Sequence, residues 1–420
     1  MRHLLIWQRG LAALLLLLSC ASLPTAAVRA SDSTSANYRP NEVLVKLNPS
    51  ANLRAIAASH RLKIPQSSVD QLDQQPIYRF EIADGKTPPD KAAELMSDRS
   101  VIYAEPDYVG ELPQARQRSS WVVGDDIGGY AAQWAPAALR LPEAHMVTQG
   151  VGVTIAILDT GADLGHPTLA GRLIPGYDFV DDDVDPSEVG IYGSDMAYGH
   201  GTHVAGLVAL TAPDAKIMPL RTLGPDGIGT IWAQVQALRF AINRGVDVIN
   251  LSYSFRKRSR VLEEVLAQVT CTTTIDDECR TKLRPGAIVA AASGNSGDND
   301  REYPAATFIP GVLAVAASTE ANTLAVFSTY GPWVQLAAPG DHVLSSVPGG
   351  YAVWSGTSMA APLAAGTAAL VRAASPSLRP ADIVTRLITT GASLSGPVRR
   401  RVDAAAALRL PAGTSADRDR

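Results

Sequence analysis

Three short stretches carry side chains suited to activating a hydroxyl. Ser358 stands in Gly356-Thr357-Ser358-Met359-Ala360-Ala361-Pro362, where a glycine-bearing loop turns into an apolar, small-residue helix. His200 and His203 lie in His200-Gly201-Thr202-His203-Val204-Ala205-Gly206, which opens a second small-residue helix. Asp159 ends an apolar run and is followed by Thr160-Gly161. A neutral hydroxyl is a weak nucleophile. An imidazole that takes its proton in the transition state makes it competent, and a carboxylate behind the imidazole holds the tautomer and the charge. Taken singly, a serine opening a helix is an N-cap and an aspartate after a strand is a turn residue. Here Asp, His and Ser each stand at the edge of a regular element. Asn295, in Ala292-Ser293-Gly294-Asn295-Ser296-Gly297, adds an amide able to donate to a developing alkoxide beside the N–H of Ser358.

The elements that must position them are read from hydrophobic periodicity. The run 151–158 is almost wholly apolar and β-branched, the pattern of a strand covered on both faces. Similar runs recur at 216–223, 246–251, 287–292, 312–317 and 334–338. Helical stretches separate several of them; 231–243 is opened by Thr230 and closed by Gly245, and 380–390 and 403–408 are helical in pattern. This alternation predicts a doubly wound α/β layer with a mostly parallel sheet. Such sheets place ligands at the carboxyl ends of their strands, so Asp159, Ser252 and Asn295 are expected along one edge. A smaller α+β unit precedes it, with strands at 42–47, 76–82 and 101–103 and helices at 52–60 and 90–96, the order of a split βαβ, ferredoxin-like sandwich.

The three motifs and the asparagine resemble the subtilisin-like serine proteases, whose chain order is also Asp, His, Ser. The likeness spans roughly residues 133–408, and Ala104-Glu105-Pro106-Asp107-Tyr108 looks like the end of a subtilisin-type propeptide at 38–110. The resemblance implies an Asp159-His200-Ser358 triad, with the first histidine catalytic and His203 structural. It implies Asn295 in the oxyanion hole, and substrate contact by Ser252, Tyr253, Ser254, Ala292, Ser293 and Gly294. It further implies a zymogen inhibited by its own propeptide, a protein or peptide substrate, and no cofactor for catalysis. His166-Pro167 is expected to pack a loop. No Gly-x-Ser-x-Gly surrounds Ser358, which argues against an α/β-hydrolase esterase. Alternatives are a processing protease with one dedicated protein substrate, and a catalytically degenerate, peptide-binding relative.

The chain departs from the family at three places. Relatives carry Ser-Leu-Gly-Gly on the strand that pairs with substrate; here it is Ser252-Tyr253-Ser254-Phe255, which predicts a narrowed or reshaped pocket. The helix after His200 runs straight to Thr211-Ala212-Pro213, with no room for a calcium-binding loop. Asp178, Asp181, Asp182, Asp183 and Asp185 offer oxygen ligands of the kind calcium takes, but the stretch reads as a solvated acidic loop, so structural calcium is unsupported. Residues 256–284 form an insertion with a basic patch, expected either to overhang the cleft or to run over the surface.

Composition sets the remaining bounds. A chain of 420 residues with net charge −4 is globular in class and lacks the basic excess of a nucleic-acid binder. Arg2 and Arg9 precede an apolar run at 11–18, too short to span a bilayer, and Val28-Arg29-Ala30 suits signal peptidase, so residues 1–30 are expected to direct export. The rival is a lipoprotein box ending at Cys20, the one route to a membrane anchor. Cys271 and Cys279 bracket a polar loop and are expected to form a disulfide in an oxidising compartment. A linker cut on maturation is expected at 111–120, the peptidase domain at 121–410 and a disordered tail at 411–420.

Overall fold

The computed structural model describes residues 37–64, 71–72, 75–112, 123–124, 127–272 and 285–409. The expected export segment with Cys20, the expected linker from residue 113, Cys279 and the expected tail lie outside the described residues.

The first part is an antiparallel sheet backed by two helices. β1 (Tyr38–Leu47), α1 (Leu53–Ser59), β2 (Leu62–Lys63), β3 (Ile77–Ile82), α2 (Pro88–Leu95) and β4 (Val101–Glu111) give the sheet order β2-β3-β1-β4. The helices start where side chains meet bare N–H groups: Asn52 accepts from Ala55 N, and Thr87 accepts from Asp90 N ahead of Pro88. Val43, Val45 and Phe80 on one sheet face bury Ile56 and Leu95 of the helices. The last strand is longer than expected and runs through Glu111.

The second part is built on a nine-stranded sheet. Its elements are β5 (Val123–Gly124), α3 (Ile127–Ala132), α4 (Trp134–Leu139), α5 (Leu141–His145), β6 (Thr154–Asp159), β7 (Tyr177–Asp178), α6 (His200–Thr211), β8 (Lys216–Arg221), β9 (Ile228–Thr230), α7 (Ile231–Asn243), β10 (Val248–Leu251), α8 (Arg260–Val269), β11 (Ile288–Ala292), β12 (Val312–Ser318), β13 (Leu336–Pro339), β14 (Val343–Val347), β15 (Gly350–Trp354), α9 (Thr357–Ala374), α10 (Pro380–Thr390), β16 (Ala392–Ser393), β17 (Arg400–Arg401) and α11 (Ala404–Arg409). The sheet order is β16-β17-β13-β12-β11-β10-β6-β8-β7. From β13 to β7 every pair is parallel, and only β16 runs against its neighbour.

Both sheet faces are covered, which is why its strands read as unbroken apolar runs. Ile155 and Ile157 enter the core shared with α6 and α9, while Ala156 and Leu158 enter the core shared with α7 and α8. The chain leaves β6 for β8 on one side and then returns to β10 on the other. β6 is therefore the switch point of the sheet, where a crevice opens at the strand ends. Register aligns those ends: Leu158 faces Leu251, and Leu251 faces Ala291. Asp159, Ser252 and Asn295 leave the sheet along this one edge.

The insertion after Phe255 is not a surface excursion throughout. It contains α8, whose Val261, Leu262, Val265, Leu266 and Val269 are buried in the core with α7. Arg256, Lys257 and Arg258 are exposed, and residues 273–284 lie outside the described residues.

The antiparallel part docks on α7 and α8 through two carboxylates, two residues apart on β4. Glu105 accepts from the backbone N–H groups of Arg260 and Val261 at 2.9 and 3.2 Å and from the Ser259 hydroxyl, at the start of α8. Asp107 accepts from Trp232 N at 3.0 Å, at the start of α7. Helix N-termini expose unpaired N–H groups and the positive end of the helix dipole, so each carboxylate meets a complementary site. Leu44, Ile77 and Tyr103 complete the contact, in one buried cluster with Trp232 and Val261.

Burial raises the Glu105 carboxyl above its ordinary range and Asp107 to about 8, against the N–H groups that pull both down. A carboxyl raised by folding stabilises fully below its ordinary range near 3.8, and that contribution is lost as pH rises through about 8. Asp107→Asn, made in a Ser358→Ala background, is thus expected to melt alongside its parent at pH 4. At pH 8 it should melt a few degrees higher. An equal offset at both pH values would contradict this.

Candidate active site

Asp159 is the last residue of β6. Its Oδ1 accepts from Nδ1 of His200 at 2.7 Å and from Thr160 N at 2.8 Å. Its carbonyl accepts from Thr222 and Leu223 N–H at the end of β8, which pins the strand end. Both side chains are buried, so the bond is shielded from water and salt. His200 is the first residue of α6. Gly201 lets that helix begin against the turn after Asp159, because a Cβ there would lie 2.1 Å from the Gly161 carbonyl oxygen.

Glu188 fixes the same junction from outside. It accepts from the Thr160 hydroxyl, and from the N–H and hydroxyl of Thr202 at 3.1 and 2.7 Å; Thr160 in turn accepts from Gly201 N at 2.9 Å. Burial raises the Glu188 carboxyl. Sequence reasoning passed over this residue, which stands in a motif-free loop. The only signal was that the N–H groups opening α6 needed an acceptor.

The other histidines take different places. His203 stacks on Trp354 at 4.8 Å, and its Nε2 meets the Ala352 carbonyl at 3.0 Å. Burial lowers its pKa to about 3, so it is a neutral packing group. His166 is buried against Tyr351, with Nε2 at 3.0 Å from the Gly350 carbonyl. His60 pairs with Glu94 and Asp98, His145 with the Thr211 carbonyl, and His342 is exposed beside Asp341.

Ser358 is the second residue of α9 and is wholly buried. Its hydroxyl donates to the Ser252 carbonyl at 2.9 Å, and the Ser252 hydroxyl donates to the Ser358 carbonyl at 2.9 Å. Asn250 on β10 donates to the Ser252 hydroxyl at 2.9 Å. Among the described residues, Nε2 of His200 has no hydrogen-bond partner. In this form the hydroxyl is held on Ser252 rather than on the imidazole.

Thr357, which the sequence reading left without a role, orients Asn295. Its N–H and hydroxyl both donate to Oδ1 of Asn295 at 2.9 Å, so the amide nitrogen points the other way. Thr357 also accepts from Gly294 N at 3.1 Å. Ala292 and Ser293 are buried at the end of β11 and just beyond it, and the Ser293 hydroxyl donates to the Thr329 carbonyl at 2.9 Å.

A segment of the chain itself lies along this edge. Val109, Gly110 and Glu111 of β4 pair antiparallel with Thr230, Gly229 and Ile228 of β9. On its other side Glu111 exchanges both backbone bonds with Ser254, at 3.0 and 3.1 Å, and Leu112 N donates to the Gly227 carbonyl at 3.0 Å. This is an added strand between two edges, the way an extended peptide is bound. Ser254 and Phe255 bring side chains to this groove. Ser254 turns its hydroxyl to Glu302. Tyr253 and Phe255 are buried edge-to-face, and a Cβ on Gly110 would lie 2.5 Å from the Phe255 ring.

The acidic loop is not arranged as a metal site. Arg221 pairs with Asp178 and Asp181, Asp182 accepts from Tyr177, and Asp183 and Asp185 accept from backbone N–H groups of their own loop. Among the described residues no group of three or more His, Cys, Asp or Glu side chains is placed to hold a metal ion. No helix among them is long and apolar enough to cross a membrane.

Gly110→Val in the Ser358→Ala precursor is expected to loosen β4 from its groove, because a Cβ there meets the Phe255 ring at 2.5 Å and the Ser254 carbonyl oxygen at 2.8 Å, and Phe255→Gly is expected to restore part of the fit. Amide exchange at residues 109–111 should rise roughly tenfold or more in the single variant, matching an overpacking penalty of about 1–3 kcal/mol. No rise, or no rescue by the second change, would show that Phe255 does not set the fit.

Comparison with known proteins agrees with this architecture. A profile described as the subtilase family matches residues 150–408, and one described as the fervidolysin N-terminal prodomain matches residues 24–107. A thermophilic serine proteinase from Bacillus sp. (strain AK1) is 37% identical over 290 residues, covering 66% of this chain and 64% of that protein. Thermitase from Thermoactinomyces vulgaris is 34% identical over 275 residues, covering 63% of this chain and 90% of that protein. The crystal structure of fervidolysin from Fervidobacterium pennivorans, described as a keratinolytic enzyme related to subtilisin, superposes with a TM-score of 0.72. It is 24% identical, with 90% of this chain and 62% of that one covered. The chain thus spans somewhat under two thirds of the Bacillus proteinase and of fervidolysin. With a family match over most of the nine-stranded part and a prodomain match ahead of it, the chain belongs to the subtilase family of serine proteases.

Proposed function

We propose that this protein is an exported serine endopeptidase, made as a zymogen, that hydrolyses peptide bonds through Asp159, His200 and Ser358. The observation that carries the reading is the buried Asp159–His200 pair, set on the same strand edge as Ser358 and as the groove that β4 fills as a peptide would.

In the proposed reaction β4 leaves the groove and a substrate strand takes its place beside Ser254. The Ser358 hydroxyl turns from the Ser252 carbonyl to Nε2 of His200, gives up its proton there and attacks the scissile carbonyl carbon. Asp159 holds the proton of Nδ1 and stabilises the imidazolium. The side-chain N–H of Asn295 and the backbone N–H of Ser358 donate to the alkoxide. The imidazolium then protonates the leaving amine, and water hydrolyses the acyl-enzyme by the reverse proton path. Subtilases need no cofactor for this chemistry, and none enters these steps.

The zymogen reading rests on β4 and its two carboxylate caps. Export by residues 1–30, maturation within 111–120 and a Cys271–Cys279 disulfide belong to the same proposal.

A fluorophosphonate is expected to label the wild type after maturation and to leave Ser358→Ala unlabelled. Ser358→Ala should also stay at precursor size while the wild type shortens. If both shorten alike, the cut is not made by this chain. Asp159→Asn should lower kcat about 10⁴-fold through loss of the correct tautomer. An unchanged kcat in that variant would refute the triad.

A further inference from the structure

One buried carboxylate at the cleft is not used by the chemistry above. Glu302 is 3% exposed and stands between the two segments that flank Ser358. The Ser254 hydroxyl donates to one of its oxygens, from the residue whose backbone pairs with Glu111. The Ser296 hydroxyl donates to the other at 3.1 Å. Its carboxyl group also lies over Gly294, where a Cβ would meet it at 2.6 Å, and Gly294 is bonded through Thr357 to the start of α9. The two serine hydroxyls thus hold the carboxylate, one at each oxygen.

We propose that Glu302 makes the pocket beside the scissile bond select a cationic side chain, so that the substrates are polypeptides cut after arginine or lysine. The inference rests on the endopeptidase reading above.

Strand register locates the pocket. In an antiparallel pair, the residue two places beyond the partner of Ser254 faces Ser252. The Ser252 carbonyl holds the Ser358 hydroxyl, so the substrate residue at that place presents its own carbonyl to the nucleophile. With its backbone on the 252–254 segment and its carbonyl turned toward Asn295, its side chain passes between Ser254 and Gly294. Glu302 touches both. An apolar side chain there would cover a carboxylate without compensating it, which is costly. A guanidinium or ammonium would meet it with a charge-assisted hydrogen bond in a site shielded from water. The expectation of a reshaped pocket at Ser254 thus acquires a chemical sense.

The test uses the matured protein and a matched set of peptide anilides that differ only in the residue before the anilide: arginine, lysine, glutamine, leucine or phenylalanine. Rates are normalised to sites titrated with the fluorophosphonate, so loss of folded enzyme is removed from the comparison. Arginine and lysine are expected to give the highest kcat/KM. In Glu302→Gln the ratio of arginine to leucine should fall by at least about 30-fold, the size of effect seen when a buried charged pair loses one partner, with the arginine rate falling and the leucine rate rising. A wild-type preference for leucine or phenylalanine, or an unchanged ratio in labelled Glu302→Gln, overturns the inference and leaves the endopeptidase reading intact. Absence of both labelling and cleavage for every peptide overturns the endopeptidase reading and this inference with it.

Discussion

The arrangement depends on one buried hydrogen bond, from the His200 imidazole to the Asp159 carboxylate. A carboxylate out of water is tolerated only where donors are aimed at it. Here the donors are the His200 ring and Thr160 N–H, and neither would arrive without a particular backbone path. The strand must end at Asp159, the chain must turn at once through Thr160 and Gly161, and a helix must start at His200 close enough for a glycine to be required at 201. Glu188 then ties the turn to the helix. A switch point in a parallel sheet supplies such a place, because the strands on either side of β6 are reached in opposite directions and leave a crevice between their connections.

Ser358 is held by a separate and equally local set of bonds. Asn250, Ser252 and Ser358 link the end of β10 to the start of α9. Thr357 links the same start to Asn295 beyond β11. Three segments from distant parts of the chain are thereby fixed to one another within hydrogen-bond geometry, which pre-organises the groups that a developing alkoxide would meet.

The antiparallel N-terminal part uses the same physics for docking. Its carboxylates satisfy helix N-termini, and its strand satisfies two open edges. Both features answer unpaired backbone groups, which are expensive to bury and specific in direction. The Phe255 ring lies against the groove filled in this way, and the occupying strand carries a glycine at that point.

Much of this could be read from residues in order. The parallel strands announced themselves as apolar runs, and 231–243 and 380–390 are helices to the residue, because caps and breakers are local signals. The motifs around Asp159, His200, Asn295 and Ser358 were legible because a tight turn, a helix start and a reactive group constrain consecutive residues. The helix inside the 256–284 insertion, the β14–β15 hairpin, and the roles of Glu188, Thr357 and Glu302 were not. Each of these depends on a partner far away in the chain: α8 on the face of α7, Glu188 on Thr160 and Thr202, Glu302 on Ser254 and Gly294. Chain order alone determined which groups could react and which segments were strands or helices, since both follow from neighbours within a few residues. Tertiary packing decided which carboxylates face the imidazole, a helix end or the cleft, because a buried charge is placed by donors that only folding brings to it.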